Sequence, residues 1–115
     1  MANDFKRIAT PNISNSSNTT IYAVPAGAGS SALESIVIGI TMCNKSSAGI
    51  TASVFLDNED GTNDVFIVKD ASIPAGSSLE IISGSKIIME SSDVLRIRSG
   101  TATALDVAVS YLEQT

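Results

Sequence analysis

From Thr19 onward the chain runs in short alternating apolar and polar stretches broken by turn residues. Thr19 to Val24 alternates and stops at Pro25, and Ala26-Gly-Ala-Gly-Ser-Ser31 reads as a flexible loop. Leu33 to Cys43 follows with apolar residues on both faces: Ile36, Ile38, Ile40 and Met42 on one, Val37, Gly39, Thr41 and Cys43 on the other. A strand of that kind is either central and covered or turned toward a partner. Ile50 to Leu56 puts Ile50, Ala52, Val54 and Leu56 on one face, leaving Phe55 on the other as second-sheet core or an interface residue.

Shorter stretches complete the pattern. Val65 to Lys69, Leu79 to Ile82, Ile87 to Met89, Val94 to Arg98 and Leu105 to Leu112 read as strands, separated by Ile73-Pro-Ala-Gly-Ser77, Ser83-Gly84 and Glu90-Ser-Ser-Asp93. No segment holds a helical period over two turns. About eight strands at this spacing predict an all-β fold, an antiparallel two-sheet sandwich of jelly-roll type. The last two strands suggest a hairpin pairing Ile97 with Leu105 and Leu95 with Val107, which sets Arg96 opposite Asp106.

Residues 1–18 are different. Phe5, Ile8 and Ile13 are isolated hydrophobes in a polar stretch without period, so the segment reads as an extended N-terminal arm ahead of a sandwich domain over 19–115. An arm of this composition is expected to lie on a neighbouring subunit, which makes Phe5, Ile8, Ile13 and the outward Phe55 the candidate interface residues.

Composition narrows the chemistry. The 115 residues suffice for one core, and Ile, Val and Thr suit pleated surfaces. The net charge is −5 with scattered Lys and Arg, which argues against nucleic acid as a ligand. The longest apolar run, Ile36 to Cys43, is too short to span a bilayer, and the N-terminal residues contain no apolar signal-peptide region, so synthesis in a cytoplasm and no membrane contact are expected. Histidine is absent, and Cys43 is the single cysteine, expected as a buried small hydrophobe. Neither a His-based triad, a zinc cluster nor a phosphate-cradling loop can be assembled from this set. Lys45 beside Ser46 and Ser47 reads as a turn. Glu34, Glu80, Glu90 and Asp93 are not placed in pairs by any pattern.

One acidic loop invites a metal. Asp57, Glu59, Asp60 and Asp64 offer hard oxygen ligands near Gly61, yet the position of a bidentate EF-hand Glu falls on Val68, and a solvated turn is the preferred reading. The Asn-x-Ser/Thr sites at Asn12, Asn15, Asn18 and Asn44 follow from a composition rich in these residues and are not expected to be glycosylated. The expectation is a protein with no enzyme activity, cofactor or metal.

Several segments carry a resemblance. Met1-Ala-Asn-Asp-Phe-Lys-Arg7, Thr20-Ile-Tyr-Ala-Val-Pro25, Val68-Lys-Asp-Ala-Ser-Ile-Pro-Ala-Gly-Ser-Ser-Leu79, Asp93-Val-Leu-Arg-Ile-Arg98 and Leu105-Asp-Val-Ala-Val-Ser-Tyr-Leu-Glu113 are similar to small β-sandwich virion structural proteins of tailed, marine and cyanobacterial bacteriophages. The resemblance implies a virion subunit present in many copies, and it carries no binding residues across. A capsid decoration (cement) protein contacting the major capsid protein, itself a homo-oligomer with a trimer favoured, is the expected role. A neck or tail accessory protein and a carbohydrate-binding adhesion module are the alternatives.

Overall fold

A computed structural model describes residues 3–25, 34–57, 64–81, 86–90 and 92–114. The loop expected over 26–31, most of the acidic turn at 58–63 and the Ser83-Gly84 turn lie outside them. Nine strands fall within the described residues: β1 (Asn3–Thr10), β2 (Thr19–Ala23), β3 (Glu34–Asn44), β4 (Ile50–Asp57), β5 (Asp64–Ile73), β6 (Ser78–Glu80), β7 (Ile87–Met89), β8 (Val94–Ser99) and β9 (Leu105–Gln114).

These strands form two antiparallel sheets. The first has the order β1-β9-β3, with β6 and β7 pairing successive parts of the free edge of β3; the second has the order β2-β8-β4-β5. With β6 and β7 taken as halves of one interrupted strand, the chain crosses between sheets at nearly every step, and only β4 and β5 form a hairpin. This is the winding of a jelly roll.

Alternation made the inward faces legible. Leu105, Val107, Val109 and Tyr111 of β9 meet Leu95 and Ile97 of β8 and Ile50, Ala52 and Val54 of β4 in one core. Two Tyr rings, Tyr22 and Tyr111, pack within it at 4.1 Å between centroids. The pairing of β8 with β9 is a different matter. The two strands belong to different sheets, so the hairpin with Ile97 opposite Leu105 and Arg96 opposite Asp106 does not form. Arg96 instead pairs with Asp57 at 2.8 Å, and Lys45 with Asp106 at 2.9 Å. Alternation specifies which side of a strand is buried; two sheets facing one core satisfy it as well as one hairpin does.

Gly100 sits where β8 leaves its sheet. Its N–H donates to the Thr51 carbonyl at 2.8 Å, and a Cβ there would collide with Thr51 Oγ1. Strand β3 departs from simple alternation as well. Its register against β9 slips between Val37 and Gly39, which makes Ile38 a bulge. Ser35 and Val37 before the bulge, and Ile40, Met42 and Asn44 after it, are therefore all buried. Ile36 and Ile38 turn outward with Thr41 and Cys43, so the single face expected from Ile36 to Met42 is divided. Cys43 is consequently half-exposed rather than buried.

Residues 3–10 pair along their whole length with β9. Beyond Pro11, Asn12 adopts φ 53° and the Ile13 N–H donates to the Leu105 carbonyl at 2.9 Å. Ile13 is 1 % exposed and belongs to the core.

Asn44 closes the opposite end. Its Nδ2 donates to the carbonyls of Ala48 (2.8 Å) and Ile73 (3.0 Å), and its Oδ1 accepts from Ser46 N (2.9 Å) and Ser46 Oγ (2.7 Å). A buried amide with all these bonds made is not available as a glycan acceptor. Replacing Ile13 with Ala should lower unfolding free energy by about 3 kcal/mol in urea titrations, as for a fully buried aliphatic side chain; a surface-lying arm would lose far less. Gly100→Ala should also lower the urea midpoint, because the added methyl displaces Thr51.

Candidate interaction surfaces

The register carries one row of side chains straight across the outer face of each sheet. On the first sheet, Phe5 pairs with Leu112, Leu112 with Ile36 and Ile36 with Ile88. All four are apolar. Phe5 is 79 % and Ile88 67 % exposed, and Ile38 adds a further exposed side chain beside the row. An open depression of about 280 Å³ lies alongside, lined by Phe5, Lys6, Arg7, Ile38, Ser110 and Tyr111.

On the second sheet the corresponding row is Thr20, Arg96, Phe55 and Phe66. Here the Phe55 ring is covered, while Phe66 beside it stays 45 % exposed. Phe55 and Phe66 pack at 4.6 Å, the Arg98 guanidinium lies 5.9 Å from the Phe55 ring, and Lys69 Nζ lies 5.4 Å from the Phe66 ring. Such cation–ring contacts contribute roughly 0.5–1 kcal/mol each at exposed sites. Arg96 bridges β2 and β4 by donating to Thr20 Oγ1 at 3.3 Å and to the buried Asp57 carboxylate at 2.8 Å.

The four residues singled out in the sequence are thus not brought together. Phe5 stands on the outer face of the first sheet. Ile8 is half-buried on the inner side of the same strand, Ile13 is in the core, and Phe55 is 3 % exposed on the outer face of the second sheet. Ile36, Ile88 and Leu112 escaped sequence reasoning as a group, because only the register aligns them. The one signal for them was the two-faced run in β3.

Beneath Phe5 a polar network, buried at Tyr22, Ser35 and Glu113 and reached by the exposed Lys6, holds β1 in place. Lys6 Nζ donates to Glu113 Oε1 at 2.7 Å, and Tyr22 OH donates to Glu113 Oε2 at 2.6 Å and shares a 2.6 Å hydrogen bond with Ser35 Oγ. The Lys6 ammonium, then the Tyr22 hydroxyl, hold the Glu113 carboxyl below its ordinary range. The same contact raises Lys6, while burial, then the hydrogen bond to Glu113, pushes the Tyr22 phenol up. Farther along the arm, the Lys45 ammonium and then the Asn12 N–H lower Asp106.

Among the described residues the remaining candidate groups are engaged elsewhere or stand apart. Lys45 is engaged by Asp106 and by Asn12 Oδ1 (2.6 Å), and Ser46 by Asn44 and the Ala48 carbonyl, so the two do not act as a pair. Asp57, from the acidic loop, has its carboxylate on Arg96. Glu34, Glu80 and Glu90 are exposed, and Asp93 accepts from the Glu90 N–H at 2.9 Å. Among the described residues no cluster of three or more Cys, Asp and Glu could hold a metal, and no helix is long and apolar enough to cross a membrane.

Carboxyls whose folded pKa is depressed stabilise the fold fully above their unfolded values of about 4 to 4.5 and lose that contribution as pH falls through the folded ones. Urea midpoints should therefore drop between about pH 5 and pH 3, and hydrogen exchange should show β1 amides opening first. Lys6→Met removes the charge that depresses Glu113, so the acid loss should shrink; equal loss in both proteins would contradict the network as its source.

No protein-family model matches this sequence, and no curated protein sequence matches it. Solved structures do share the fold. A chain from the capsid of Helicobacter pylori bacteriophage KHP30 is 13 % identical with a TM-score of 0.52, over 98 % of this chain and 87 % of that one. A pilus protein of Bacillus endospore appendages is 15 % identical with a TM-score of 0.54, over 99 % and 87 %. A chain of the IBDV viral particle is 13 % identical with a TM-score of 0.56 over 96 % of this chain, which spans only 30 % of that longer one. The protein is an all-β sandwich of a kind found in viral capsids and in a pilus.

Proposed function

We propose that this chain is a non-enzymatic structural subunit of a phage virion, a decoration (cement) protein that sits on the major capsid protein and braces the shell. The observation that carries the reading is the nearly end-to-end overlay on a phage capsid chain, 98 % of this chain against 87 % of that one. The jelly-roll winding and the uncovered apolar row of the first sheet support it, since a subunit that works by contact needs such a face.

The buried carboxylates speak for a structural role. Glu113 and Asp57 are held by Lys6 and Arg96. A general acid needs a carboxyl whose pKa is raised in a cleft, whereas Glu113 is shifted the other way. Adhesion through sugars is less well served, because both Tyr rings are in the core and the two exposed rings, Phe5 and Phe66, lie on different sheets rather than on one platform. Partners would be the major capsid protein or other virion subunits. Copies of the chain would also associate with one another, and a two-fold contact suits the outer face of the first sheet better than the trimer expected from the sequence.

Quantitative mass spectrometry of purified virions carrying this chain, with cryo-EM of the particle, tests the assignment. A copy number on the order of hundreds, with density on the capsid lattice, is expected for decoration. About a dozen copies or fewer would move the protein to the neck or tail. Absence from the particle would overturn the virion role.

A further inference from the structure

We infer that the outer face of the first sheet is a self-complementary interface, which binds the same face of a second copy about a two-fold axis lying along the row Phe5–Leu112–Ile36–Ile88. The proposal stands on this face alone and is independent of the virion reading.

Charged residues border the row on both sides. At a strand spacing of about 4.8 Å, four strands give an apolar band roughly 15 Å long. Residues two positions away along each strand lie on the same face, about 7 Å to either side. On one side are Glu34, in register with Gln114, and Glu90, two residues past Ile88. On the other are Arg7, in register with Ser110, and Lys86, two residues before Ile88. All four charged residues are exposed. The face is therefore an apolar band with an acidic border and a basic border.

Such a pattern selects both the partner and the axis. A two-fold along the band turns one copy over so that its acidic border faces the basic border of the other. Glu90 then lies over Lys86 of the second copy, and the pair occurs twice, as an isologous contact requires. The apolar band meets itself between them, and side chains interdigitate at the usual separation of packed sheets, about 10 Å. A two-fold along the strands would instead set Lys86 against Arg7, with like charges opposed. The second sheet offers no equivalent apolar band: its row begins with Thr20 and Arg96, and only Phe66 of its two rings is exposed.

The test is sedimentation velocity on the full chain across a concentration series, with circular dichroism to confirm that each variant is folded. Wild type should dimerise, and Ile88→Asp should weaken the dimer at least about tenfold, since it sets a carboxylate in the apolar band. Ile88 is largely exposed, so the fold itself should be unaffected. Lys86→Glu should weaken association by opposing two acids, and adding Glu90→Lys to it should restore the wild-type affinity. That rescue is peculiar to a self-complementary contact. A wild-type protein that stays monomeric, a dimer indifferent to Ile88→Asp, or a charge swap without rescue would each overturn the proposal. Monomers whose attachment to a particle is lost in Ile88→Asp would assign the face to a different virion subunit and overturn it equally.

Discussion

Strand β3 has to supply the core from both of its ends, and a single inserted residue makes that possible. Without the bulge at Ile38, strict alternation would bury either Val37 or Ile40 and Met42, but not all three. The slip lets Val37, Ile40 and Met42 all reach the interior, each with no exposed surface. It also delivers Asn44 inward, where its amide joins the turn after β3 to the end of β5. The cost is that Ile36 and Ile38 are turned to the outside. Core and outer surface of the first sheet thus have one origin, a local break in a periodic strand.

The two outer faces resolve their apolar residues differently. On the second sheet the cations Arg98 and Lys69 lie over the rings of Phe55 and Phe66, and Arg96 neutralises the buried Asp57. On the first sheet the charge beneath the apolar row is spent inward, with Lys6 directed to Glu113. Removing water from Glu113 is tolerable because an ammonium and a phenol both donate to it. The outward residues Phe5 and Ile88 receive no comparable cover from the described residues.

Much of this fold could be read from residue order, and the failures have physical causes. Inward faces such as Leu105–Tyr111 and Ile50–Leu56 follow from period-two alternation, and so does the sandwich class. Strand β1 was hidden because its inward position 6 is a lysine, which reads as polar until its partner Glu113 is known. Leu95, Ile97, Leu105 and Val107 suggest a β8–β9 hairpin that does not form, because a face is a local property and sheet membership is not. Phe55 was correctly set apart from the core of its own strand face, while its burial depends on Phe66 across a register with two slips. The apolar row on the first sheet is legible only when four separate strands are aligned.

The order of the strands in the first sheet also has a bearing on how the protein is made. Strand β9 lies between β1 and β3, so the first of the described strands has the last of them as its neighbour. Lys6 and Glu113, which fasten that pair, are 107 residues apart in the chain. During synthesis β1 must therefore leave the ribosome without the partner strand that pairs with it, and wait until β9 emerges. Contacts of such sequence separation make folding slow, and they leave the nascent chain exposed to pairing with the wrong edge. The charges at Asp4, Lys6 and Arg7 give the waiting strand a means of staying in solution until β9 arrives.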